Sequence, residues 1–319
     1  MIPFFQQPTF AFGPLTIHAF GLIVALAVLV GLRIGASRFA RSGLDPAIGE
    51  RLAWWAIVGG FIGAHLFSVI FYFPEKIAKD PLVLLRFWED ISSFGSILGG
   101  LVGIWLFLRI QAPEMPSERR WAYLDGAAFA FTVSLMTGRI ACSLAHDHPG
   151  KYTRFPLALS LKSEEARAYL GRVYAAAGRT VDLPPQAELA RYGFHDLGLY
   201  EFLYLALIVV PAMSWLDRQP RRLGFFVVAF VTLYVPVRFL LDFLRVSDIR
   251  YGPFTPAQWV ALASLASLPL LIANVRRQPR WNPTNTYSST GAGTPPSGEG
   301  GSSATAIYRR LADDSEVDI

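Results

Sequence analysis

The sequence predicts an all-α integral membrane protein with seven transmembrane helices. Of its 319 residues, 53% are hydrophobic and only 17% are charged, whereas a soluble domain carries about 25% charged residues. Two long runs, residues 52–73 and 91–108, contain no Asp, Glu, Lys or Arg. A helix needs about 20 apolar residues to cross the hydrocarbon core of a bilayer, and both runs are close to that length.

Five further apolar stretches complete the predicted set of spans. The seven spans are predicted at residues 17–33, 52–73, 91–109, 121–145, 199–216, 223–244 and 254–275. The residues before the first span contain neither a basic segment nor a small-residue cleavage site. We therefore expect the first span to be a retained helix rather than a signal peptide.

The Lys and Arg residues of the short loops predict the orientation, because cytoplasmic loops carry an excess of positive charge. Alternate connections carry thirteen such residues on one side and five on the other. This places the N-terminus outside and the C-terminus in the cytoplasm. The formal net charge of +5 is then a sign of topology, and no nucleic-acid partner is predicted. The single cysteine, Cys142, excludes an intramolecular disulfide.

Two segments are predicted to lie outside the helical bundle. Residues 146–198 form an insertion between helices 4 and 5 on the periplasmic side, and residues 163–178 within it have the pattern of an amphipathic helix. Residues 276–319 contain a Gly/Ser/Thr/Pro-rich run and an acidic end, which is typical of disorder. We therefore divide the chain into a transmembrane domain, residues 1–275, and a disordered cytoplasmic tail, residues 276–319.

Most polar residues of the predicted spans gather at one depth, in the outer half of the membrane. They are His18, Ser92, Ser93, Gly95, Arg139, His195, Tyr200, Glu201, Tyr234, Arg238 and Asp242; His65 is placed near mid-membrane and Asp125 at the inner end of helix 4. Ionisable groups inside a membrane are costly and usually face a cavity or a partner. The alternative to a functional pocket is internal neutralisation, with Arg139 and Arg238 paired to Glu201 and Asp242.

Two guanidiniums at headgroup depth suit an anionic phosphate, since arginine is planar, always charged and weakly hydrated. The glycines of helix 3, Gly95, Gly99, Gly100 and Gly103, could either leave room for an acyl chain or allow close helix packing. These observations predict an outer-leaflet phospholipid site between helices.

Four stretches then resemble the bacterial prolipoprotein diacylglyceryl transferases. PTFAFGPLTIHAFGL (8–22) is similar to the family's entrance into helix 1, and GRIACSLAHDHPG (138–150) resembles its signature Gly-Arg-x-Gly-Asn-Phe-x-Asn-x-Glu-x-x-Gly. HDLGLYE (195–201) resembles His-Pro-Thr-Gln-Leu-Tyr-Glu, and YVPVRFLLDFLR (234–245) resembles Tyr-x-x-x-Arg-Phe-x-x-Glu-Phe-x-Arg. The resemblance extends to about residue 275 and leaves the tail uncovered.

The resemblance implies a reaction, its partners and its location. The sn-1,2-diacylglyceryl group of phosphatidylglycerol is transferred to the thiol of the lipobox cysteine in a prolipoprotein signal peptide, and glycerol phosphate is released. The reaction takes place at the periplasmic face of the bacterial inner membrane, within the lipid bilayer. No metal and no organic cofactor is implied.

The resemblance also implies roles for individual residues. Arg139 and Arg238 are expected to bind the phosphate and to stabilise the leaving group, and Tyr234 to donate a hydrogen bond to the headgroup. The remaining residues expected at the substrate site are Gly150, Glu201, Asp242 and Arg245. Asp147 stands at the signature's Glu position, and Asp242 replaces the Glu of the helix 6 motif. Arg245 could guide the headgroup, or it could merely extend its charge to the membrane interface.

Several positions depart from the family pattern. Gly95 stands where the family has the histidine of its Ser-Phe-His-Gly-Gly motif. Phe20, Cys142, Ala145 and His65 replace a Tyr, two Asn and an Arg, respectively.

We hypothesise that His146 or His148, oriented by Asp147, replaces the missing histidine as the base for the acceptor thiol, because an imidazole titrates near neutral pH. Two alternatives are a helix C-cap, where histidine favours the dipole, and a metal site, for which HDH supplies too few ligands alone. His195 is expected to be structural.

Three classes of function therefore remain open on the sequence. The first is the transferase, and the second is an inactive lipid-binding scaffold of the same fold, suggested by the missing histidine. The third is a lipid transporter, which should need polar residues accessible from both leaflets.

Overall fold

A computed structural model describes residues 1–12, 15–86, 92–176, 188–246 and 250–280, and these residues are mostly helical. The helices are α1 (Ala19–Arg41), α2 (Pro46–Phe71), α3 (Pro74–Lys79), α4 (Ser93–Ile110), α5 (Ser117–Ala145), α6 (Glu164–Ala176), α7 (Leu197–Tyr204), α8 (Val210–Leu216), α9 (Phe225–Leu241), α10 (Pro256–Ala266) and α11 (Leu268–Arg277). A π-helical turn, Leu205–Val209, joins α7 to α8.

Six helices in the described part of the chain are long and apolar enough to cross a membrane. They are Ala19–Arg41, Pro46–Phe71, Ser117–Ala145, Leu197–Leu216, Phe225–Leu244 and Pro256–Arg277. The prediction of a helical membrane protein is thereby confirmed. The shorter apolar helix α4 coincides with the third predicted span, so a seventh crossing stays a prediction, as do the orientation and the periplasmic position of the insertion.

The boundaries of the first two helices differ from their prediction because capping residues decide them. Helix α1 continues past residue 33 to Arg41 and ends only before Gly43, which has a φ of 66°. Helix α2 begins at Pro46, because the Asp45 carboxylate accepts a hydrogen bond from the Ala47 amide at 2.9 Å and a proline is favoured in the first turn. Charged residues therefore lie inside both helices.

Helices α2 and α4 pack backbone against backbone along a row of glycines. A Cβ atom added at Gly63 would lie 2.6 Å from both the Gly95 carbonyl oxygen and the Gly99 Cα. A Cβ atom at Gly95 would collide with the Gly63 carbonyl, and one at Gly99 with the Gly59 carbonyl. The glycines of α4 thus serve close helix packing, and the alternative of an acyl-chain groove at Gly95 and Gly99 is wrong.

The described residues also contain five short strands that the all-α prediction missed. β1 (Thr9–Phe12) and β2 (Leu15–His18) form an antiparallel hairpin before α1. β3 (Pro149–Thr153), β4 (Leu159–Ser160) and β5 (Gly193–Asp196) form a sheet in the order β3-β5-β4. None of these strands is longer than five residues, which is too short to establish a period of two in the sequence, and β3 and β5 also contain Pro, Gly or charged residues.

The insertion has a small hydrophobic core of its own. Five buried residues of β4, β5, α6 and the loop before α6 form it: Leu159, Leu161, Ala166, Leu170 and Phe194. Ile2 and Phe4 pack against this core, and the Ile2 amide donates to the Ala158 carbonyl at 2.9 Å. The N-terminal segment and the insertion therefore form one layer next to the start of α7. The predicted helix at residues 163–178 is present as α6, and residues 177–187 lie outside the described part.

A second hydrophobic cluster lies at the other end of the bundle, around Phe39, Leu52, Phe107 and Tyr123. The predicted tail, residues 276–319, lies outside the described residues from position 281 onward. Its disorder stays a prediction.

Candidate active site

Three transmembrane helices bring their polar ends together at the same end of the bundle. They are the C-terminal end of α5, the N-terminal end of α7 and the C-terminal end of α9. The start of α7 is fixed locally, because the Asp196 carboxylate accepts a hydrogen bond from the Leu199 amide at 3.1 Å. The neighbouring helix α10 is capped by Thr255, in a capping box closed by Gln258.

The Glu201 carboxylate joins the two buried arginines that the sequence singled out. Arg139 Nε lies 2.9 Å from Glu201 Oε2, and Arg238 Nε lies 3.2 Å from Glu201 Oε1. The side chains of both arginines are 3% exposed, and that of Glu201 is 1% exposed. Residues 99 positions apart in the chain, on α5 and α9, therefore converge on a single anion from α7.

Tyr234 lies within the same cluster. Its hydroxyl donates to Glu201 Oε2 at 2.5 Å and accepts a hydrogen bond from Arg139 Nη2 at 3.4 Å. The tyrosine lies one helical turn before Arg238 on α9, so both side chains project to the same face of that helix. The phenol thus contacts both Arg139 and Glu201, from the helix that also carries Arg238.

Asp242 extends the network toward the end of α9. Its Oδ1 lies 2.7 Å from Arg238 Nη1 and 3.6 Å from Arg245 Nη1, and the Thr255 hydroxyl donates to its Oδ2. The ring of Phe94, from α4, lies 5.0 Å from the centre of the Arg238 guanidinium, which is within cation–π range. The network is thereby enclosed on the α4 side by an aromatic ring.

This network has more positive than negative charge. In its direct ion pairs, three guanidiniums (Arg139, Arg238 and Arg245) face two carboxylates (Glu201 and Asp242). The nearby carboxylate of Asp147 is paired with His148. Arg238 Nη2 has no hydrogen-bond partner among the described residues, although it is buried. A buried donor without a partner loses the free energy of a hydrogen bond that it made in water. The network is therefore suited to accept one further anion.

The internal neutralisation that the sequence left as an alternative is present, since both arginines contact carboxylates. It is incomplete, because the excess charge and the open donor remain. The structure thus brings Arg139, Tyr234, Glu201, Arg238 and Asp242 together.

His146 lies apart from this network. It ends α5 in the left-handed conformation, with a φ of 53°, and its ring packs 5.0 Å from that of Phe4 and 4.7 Å from that of Phe5. Its Nε2 lies 2.8 Å from the Phe5 carbonyl oxygen. The helix-end alternative therefore describes His146, whose ring anchors the N-terminal segment to α5.

His148 and Asp147 form a pair at the mouth of the network. His148 Nδ1 is hydrogen-bonded to Asp147 Oδ1, and the side chains are 10% and 35% exposed, respectively. Burial raises the pKa of the Asp147 carboxyl, but the attraction of His148, Arg139 and Arg245 outweighs it and holds the pKa below its usual range. Asp147 is thus an anion at neutral pH and can orient the imidazole of His148.

Cys142 lies between this pair and the arginines. Its Sγ is 3.6 Å from Arg139 Nη1, and the potential ligand atoms of Cys142, Asp147 and His148 all lie within 4.8 Å of one another. We refer to these three residues as the thiol–carboxylate–imidazole cluster.

Gly150 and Arg245 hold the mouth in place. Gly150 forms an isolated antiparallel bridge with Arg245, and a Cβ atom at Gly150 would lie 2.6 Å from the His195 Cβ and 3.0 Å from the Leu244 carbonyl oxygen. Glycine is required there because three segments approach one another closely. Gly150 therefore contributes to the geometry rather than to the chemistry.

His195 contacts Tyr200 rather than the network. Its Nδ1 lies 3.0 Å from the Tyr200 hydroxyl, and burial together with nearby Lys151 lowers the pKa of the imidazole. The ring is therefore neutral at neutral pH. This placement agrees with the structural role expected from the sequence.

Of three other polar residues of the spans, two have structural partners and one is exposed. Asp125 accepts hydrogen bonds from the Gly224 and Phe226 amides at 2.9 and 2.8 Å, at the start of α9. His65 is hydrogen-bonded to the Val83 carbonyl at 2.8 Å, so its ring contacts the connection that follows α2, and its depth in the membrane stays a prediction. His18 is exposed at the start of α1.

Sequence reasoning missed Thr255, Phe94 and the place of Cys142 in the cluster. The sequence Thr255-Pro256-Ala257-Gln258 is a helix-start pattern and could have identified Thr255 as a cap, but not its contact with Asp242. Phe94 and Cys142 carry no such signal, because only the packing of α4 and α5 brings them to the site.

Known proteins are similar to this chain over most of its length, including the residues of this site. The family model described as prolipoprotein diacylglyceryl transferase matches residues 7–274. A protein of Chromohalobacter salexigens is 30% identical over 280 residues, covering 84% of this chain and 92% of that protein. Relatives from Xanthomonas oryzae pv. oryzae and Thermus thermophilus are each 28% identical, covering 86% and 82% of this chain and 92% and 94% of their own lengths. All three bear the name phosphatidylglycerol–prolipoprotein diacylglyceryl transferase.

Proposed function

This chain belongs to the prolipoprotein diacylglyceryl transferase family, and on that premise we propose how its residues carry out the reaction. The protein is a transferase of lipoprotein biosynthesis: it moves the diacylglyceryl group of phosphatidylglycerol to a prolipoprotein, in the first step of lipoprotein maturation. The acceptor in our proposal is the thiol of the lipobox cysteine in the signal peptide. The product is a thioether, and glycerol phosphate leaves.

The excess positive charge around Glu201 is the observation that carries the assignment of the phosphate site. A phosphodiester bears one negative charge, and in the direct ion pairs of the site three guanidiniums (Arg139, Arg238 and Arg245) face only two carboxylates. The buried Nη2 donor of Arg238 has no partner among the described residues, so a phosphate that displaces the groups covering it would supply the missing acceptor. In our proposal the headgroup phosphate of phosphatidylglycerol binds here.

The same residues can stabilise the leaving group. When the thiolate attacks the glyceryl carbon, the bond from that carbon to the phosphate oxygen breaks, and its electron pair goes to the oxygen. Negative charge on the phosphate grows from one toward two, so fixed cationic donors bind the transition state more tightly than the lipid. Arg139 is held by Glu201 and Tyr234, and Arg238 by Glu201 and Asp242. Both guanidiniums therefore need little reorganisation as the charge develops.

We assign thiol activation to the Asp147–His148 pair at the mouth. The thiolate, not the thiol, is the nucleophile, and a base must lie within hydrogen-bond reach of it. The pair is partly exposed, whereas the arginines below it are buried, so a peptide from the aqueous side reaches the pair first. His148 takes the thiol proton in this proposal, and Asp147 holds the imidazole in place.

The missing helix 3 histidine agrees with this assignment. Gly95 lies against the Gly63 carbonyl, where even a methyl group has no space. Any thiol base must therefore come from another element. Among the described histidines, we take His148, which is paired with Asp147 beside Arg139, as the one at the proposed phosphate site.

We also propose the side of the membrane on which the reaction takes place. Helices that can cross a bilayer surround the site, and the short-loop charges favour an external position for this end of the bundle. We therefore place the site at the periplasmic face of the inner membrane. A lipid within the bilayer and a signal peptide from the periplasm can then both reach it.

A direct assay tests the function. Purified protein is incubated with phosphatidylglycerol and a lipobox peptide, and the peptide mass is measured. We expect the peptide to gain one diacylglyceryl group, and we expect Arg139→Ala and Arg238→Ala to abolish that gain.

Arg38→Ala is the matched control. Arg38 is also a partly buried arginine in an ion pair, with Asp217, at the other end of the bundle, so its loss should leave transfer intact. If lipid binds but the wild-type protein adds no mass to the peptide, the scaffold alternative is correct. If the lipid changes leaflet in vesicles without any peptide product, the protein is a transporter.

A further inference from the structure

Arginines from two segments of the chain come together at the end of the bundle opposite the candidate active site. One segment joins α8 to α9, and the other is the last turn of α11 with the residues that follow it. We refer to their six arginines as the basic cluster: Arg218, Arg221, Arg222, Arg276, Arg277 and Arg280. All of them except the partly buried Arg221 are exposed. Residues 211–225 and 268–280 contain a single acidic residue, Asp217, so positive charge dominates both segments.

The folded chain holds the two segments against each other. Arg222 Nη1 donates to the Arg276 and Gln278 carbonyls at 2.9 and 2.8 Å. A Cβ atom added at Gly224 would lie 2.9 Å from Val275 Cγ2, so the start of α9 also packs directly on α11. The six guanidiniums are therefore gathered in one place by the backbone of both segments.

The contacts of these arginines satisfy hydrogen-bond donors but do not neutralise charge. The partners of Arg222 are carbonyl oxygens, and Arg221 Nε donates to the Leu216 carbonyl at 2.8 Å. Asp217 is already paired with Arg38 of α1, through contacts of 2.5 and 2.7 Å. Within the part of the chain that the structure describes, no arginine of the basic cluster belongs to an ion pair. The basic cluster therefore presents uncompensated positive charge.

Membrane orientation alone does not explain this concentration of charge. A basic end of the bundle suits the cytoplasmic side, but the other connections at this end are nearly balanced. Residues 38–51 contain three arginines and two acidic residues, and so do residues 109–120. The helix dipole favours Arg276 and Arg277 in the last turn of α11, but not the arginines before α9. The imbalance is thus local, and it calls for an anionic partner.

The surface beside the basic cluster indicates that this partner is a lipid. Trp215, near the end of α8, is 64% exposed, and Leu270 of α11 is 75% exposed. Both residues lie in helices that are long and apolar enough to cross a membrane, and tryptophan is enriched where hydrocarbon meets the headgroups. A ligand that contacts the arginines and these side chains needs an anionic head and an apolar body.

We infer that the basic cluster binds the headgroup of an anionic phospholipid in the leaflet opposite the candidate active site. A lipid with two phosphates fits best, because arginines from two segments can each bind a phosphate and every basic residue near the surface adds to the attraction. The acyl chains then lie along the exposed faces of α8 and α11. The inference does not rest on the proposed function, since the arginines of that site lie at the other end of the bundle.

Native mass spectrometry of the purified protein counts its bound lipids. The protein in detergent is mixed with equal amounts of cardiolipin, which has two phosphates, and phosphatidylcholine, which has no net charge. We expect the wild type to retain cardiolipin in preference. A fourfold variant should bind cardiolipin more weakly by at least about tenfold; it combines Arg218→Gln, Arg276→Gln, Arg277→Gln and Arg280→Gln.

A second fourfold variant is the matched control, because it removes the same charge from exposed arginines elsewhere. It combines Arg33→Gln, Arg41→Gln, Arg51→Gln and Arg109→Gln, and it should retain cardiolipin as the wild type does. Equal losses in the two variants, or a wild type without any preference for cardiolipin, would overturn the inference. Inorganic phosphate and a short DNA duplex, added at constant ionic strength, should not displace the lipid. Displacement by either would show that the arginines bind phosphate without an apolar body.

The transfer assay separates this inference from the proposed function. The fourfold variant of the basic cluster should transfer diacylglyceryl from phosphatidylglycerol at the wild-type rate, which also shows that it is folded. Loss of the cardiolipin preference with full transfer is the expected result, whereas full transfer with an unchanged preference would overturn the lipid site alone. If this variant does not fold, Arg276→Gln with Arg277→Gln, compared with Arg33→Gln with Arg41→Gln, decides the same question.

Discussion

Glu201 is the residue on which both buried arginines depend. Each guanidinium contacts one of its oxygens, and Tyr234 donates to it as well. Removing one partner of a buried ion pair is far more harmful than its net contribution to stability suggests, because the remaining charge stays buried and unpaired. Without Glu201, Arg139 would lose the carboxylate that it contacts, whereas Arg238 would keep its pair with Asp242.

We expect Glu201→Gln to lower the free energy of unfolding by about 3–5 kcal/mol and to abolish transfer. The measurement is thermal unfolding of the purified protein in detergent. Glu188→Gln is the control, since Glu188 pairs with Arg154 at the surface with side chains 49% and 61% exposed, and its loss should change stability by less than about 1 kcal/mol. Equal destabilisation by both variants would contradict the structural role of Glu201.

The two histidines that flank Asp147 should respond differently to substitution. His148→Gln should lower the transfer rate by at least about 100-fold, the usual contribution of a general base, while the unfolding temperature changes little. His146→Gln should lower the unfolding temperature, because it removes a ring that packs against Phe4 and Phe5, and should leave the rate per folded molecule nearly unchanged. If His146→Gln lowered the transfer rate and His148→Gln lowered the unfolding temperature, His146 would be the base and His148 the structural residue.

The lowered pKa of Asp147 makes a prediction about acid. A carboxyl whose pKa is depressed by folding contributes stability that is present above its unfolded pKa, about 3.9, and is lost as the pH falls through the folded value. The wild type should therefore lose stability between pH 5 and 2 by a larger margin than Asp147→Asn does, as measured by unfolding at a series of pH values. Parallel curves would mean that the pair with His148 does not stabilise the folded state.

The sequence identified most residues of the proposed phosphate site but not their contacts. An arginine inside an apolar span is rare and costly, so Arg139 and Arg238 were visible by their chemistry alone. Phe94 and Cys142 look like ordinary apolar residues of a span, and only the packing of α4 and the turn after α5 reveals them. The partner of His65, the Val83 carbonyl, was not predictable because the sequence does not show where the chain after α2 returns.

At the scale of elements, the α2–α4 pair is the most restrictive contact in the protein. Gly59 and Gly63 on α2 face Gly95, Gly99 and Gly103 on α4, with backbone atoms where side chains would normally be. In a membrane, where apolar surface gives no driving force for helix association, such close packing supplies much of the attraction.

We expect Gly99→Ala to destabilise the protein by several kcal/mol, because a Cβ atom there would collide with the Gly59 carbonyl and would force the helices apart. Gly21→Ala is the matched control: a Cβ atom at Gly21 of α1 would meet nothing within 4 Å, and alanine favours a helix by up to about 1 kcal/mol over glycine. Thermal unfolding in detergent measures both. A stable Gly99→Ala protein would show that α2 and α4 can separate without harm.

Helix existence was predictable, whereas helix ends and strands were not. Long apolar stretches identify spans by composition, but the ends of α1 and α2 depend on Gly43 and on the Asp45 cap. The five strands pair locally around short turns and around the insertion's own core, so their hydrogen bonds rather than a hydrophobic pattern define them.

For the whole molecule, the orientation in the membrane is the prediction that matters most to function. We expect Lys151→Cys, in a Cys142→Ser background, to react in intact cells with a maleimide that cannot cross the membrane, and Glu114→Cys to react only after permeabilisation. Both positions are exposed and lie at opposite ends of α5. Labelling of Glu114→Cys alone in intact cells would reverse the topology and place the site on the cytoplasmic side.

The close approach of Gly95 to Gly63 also limits the paths by which this protein could change over generations. A single codon change that placed a histidine at position 95 would drive an imidazole into the backbone of α2. A larger side chain at position 95 would require α2 and α4 to move apart first, through at least one other substitution. Within this scaffold, position 95 is therefore one that single mutations do not easily change.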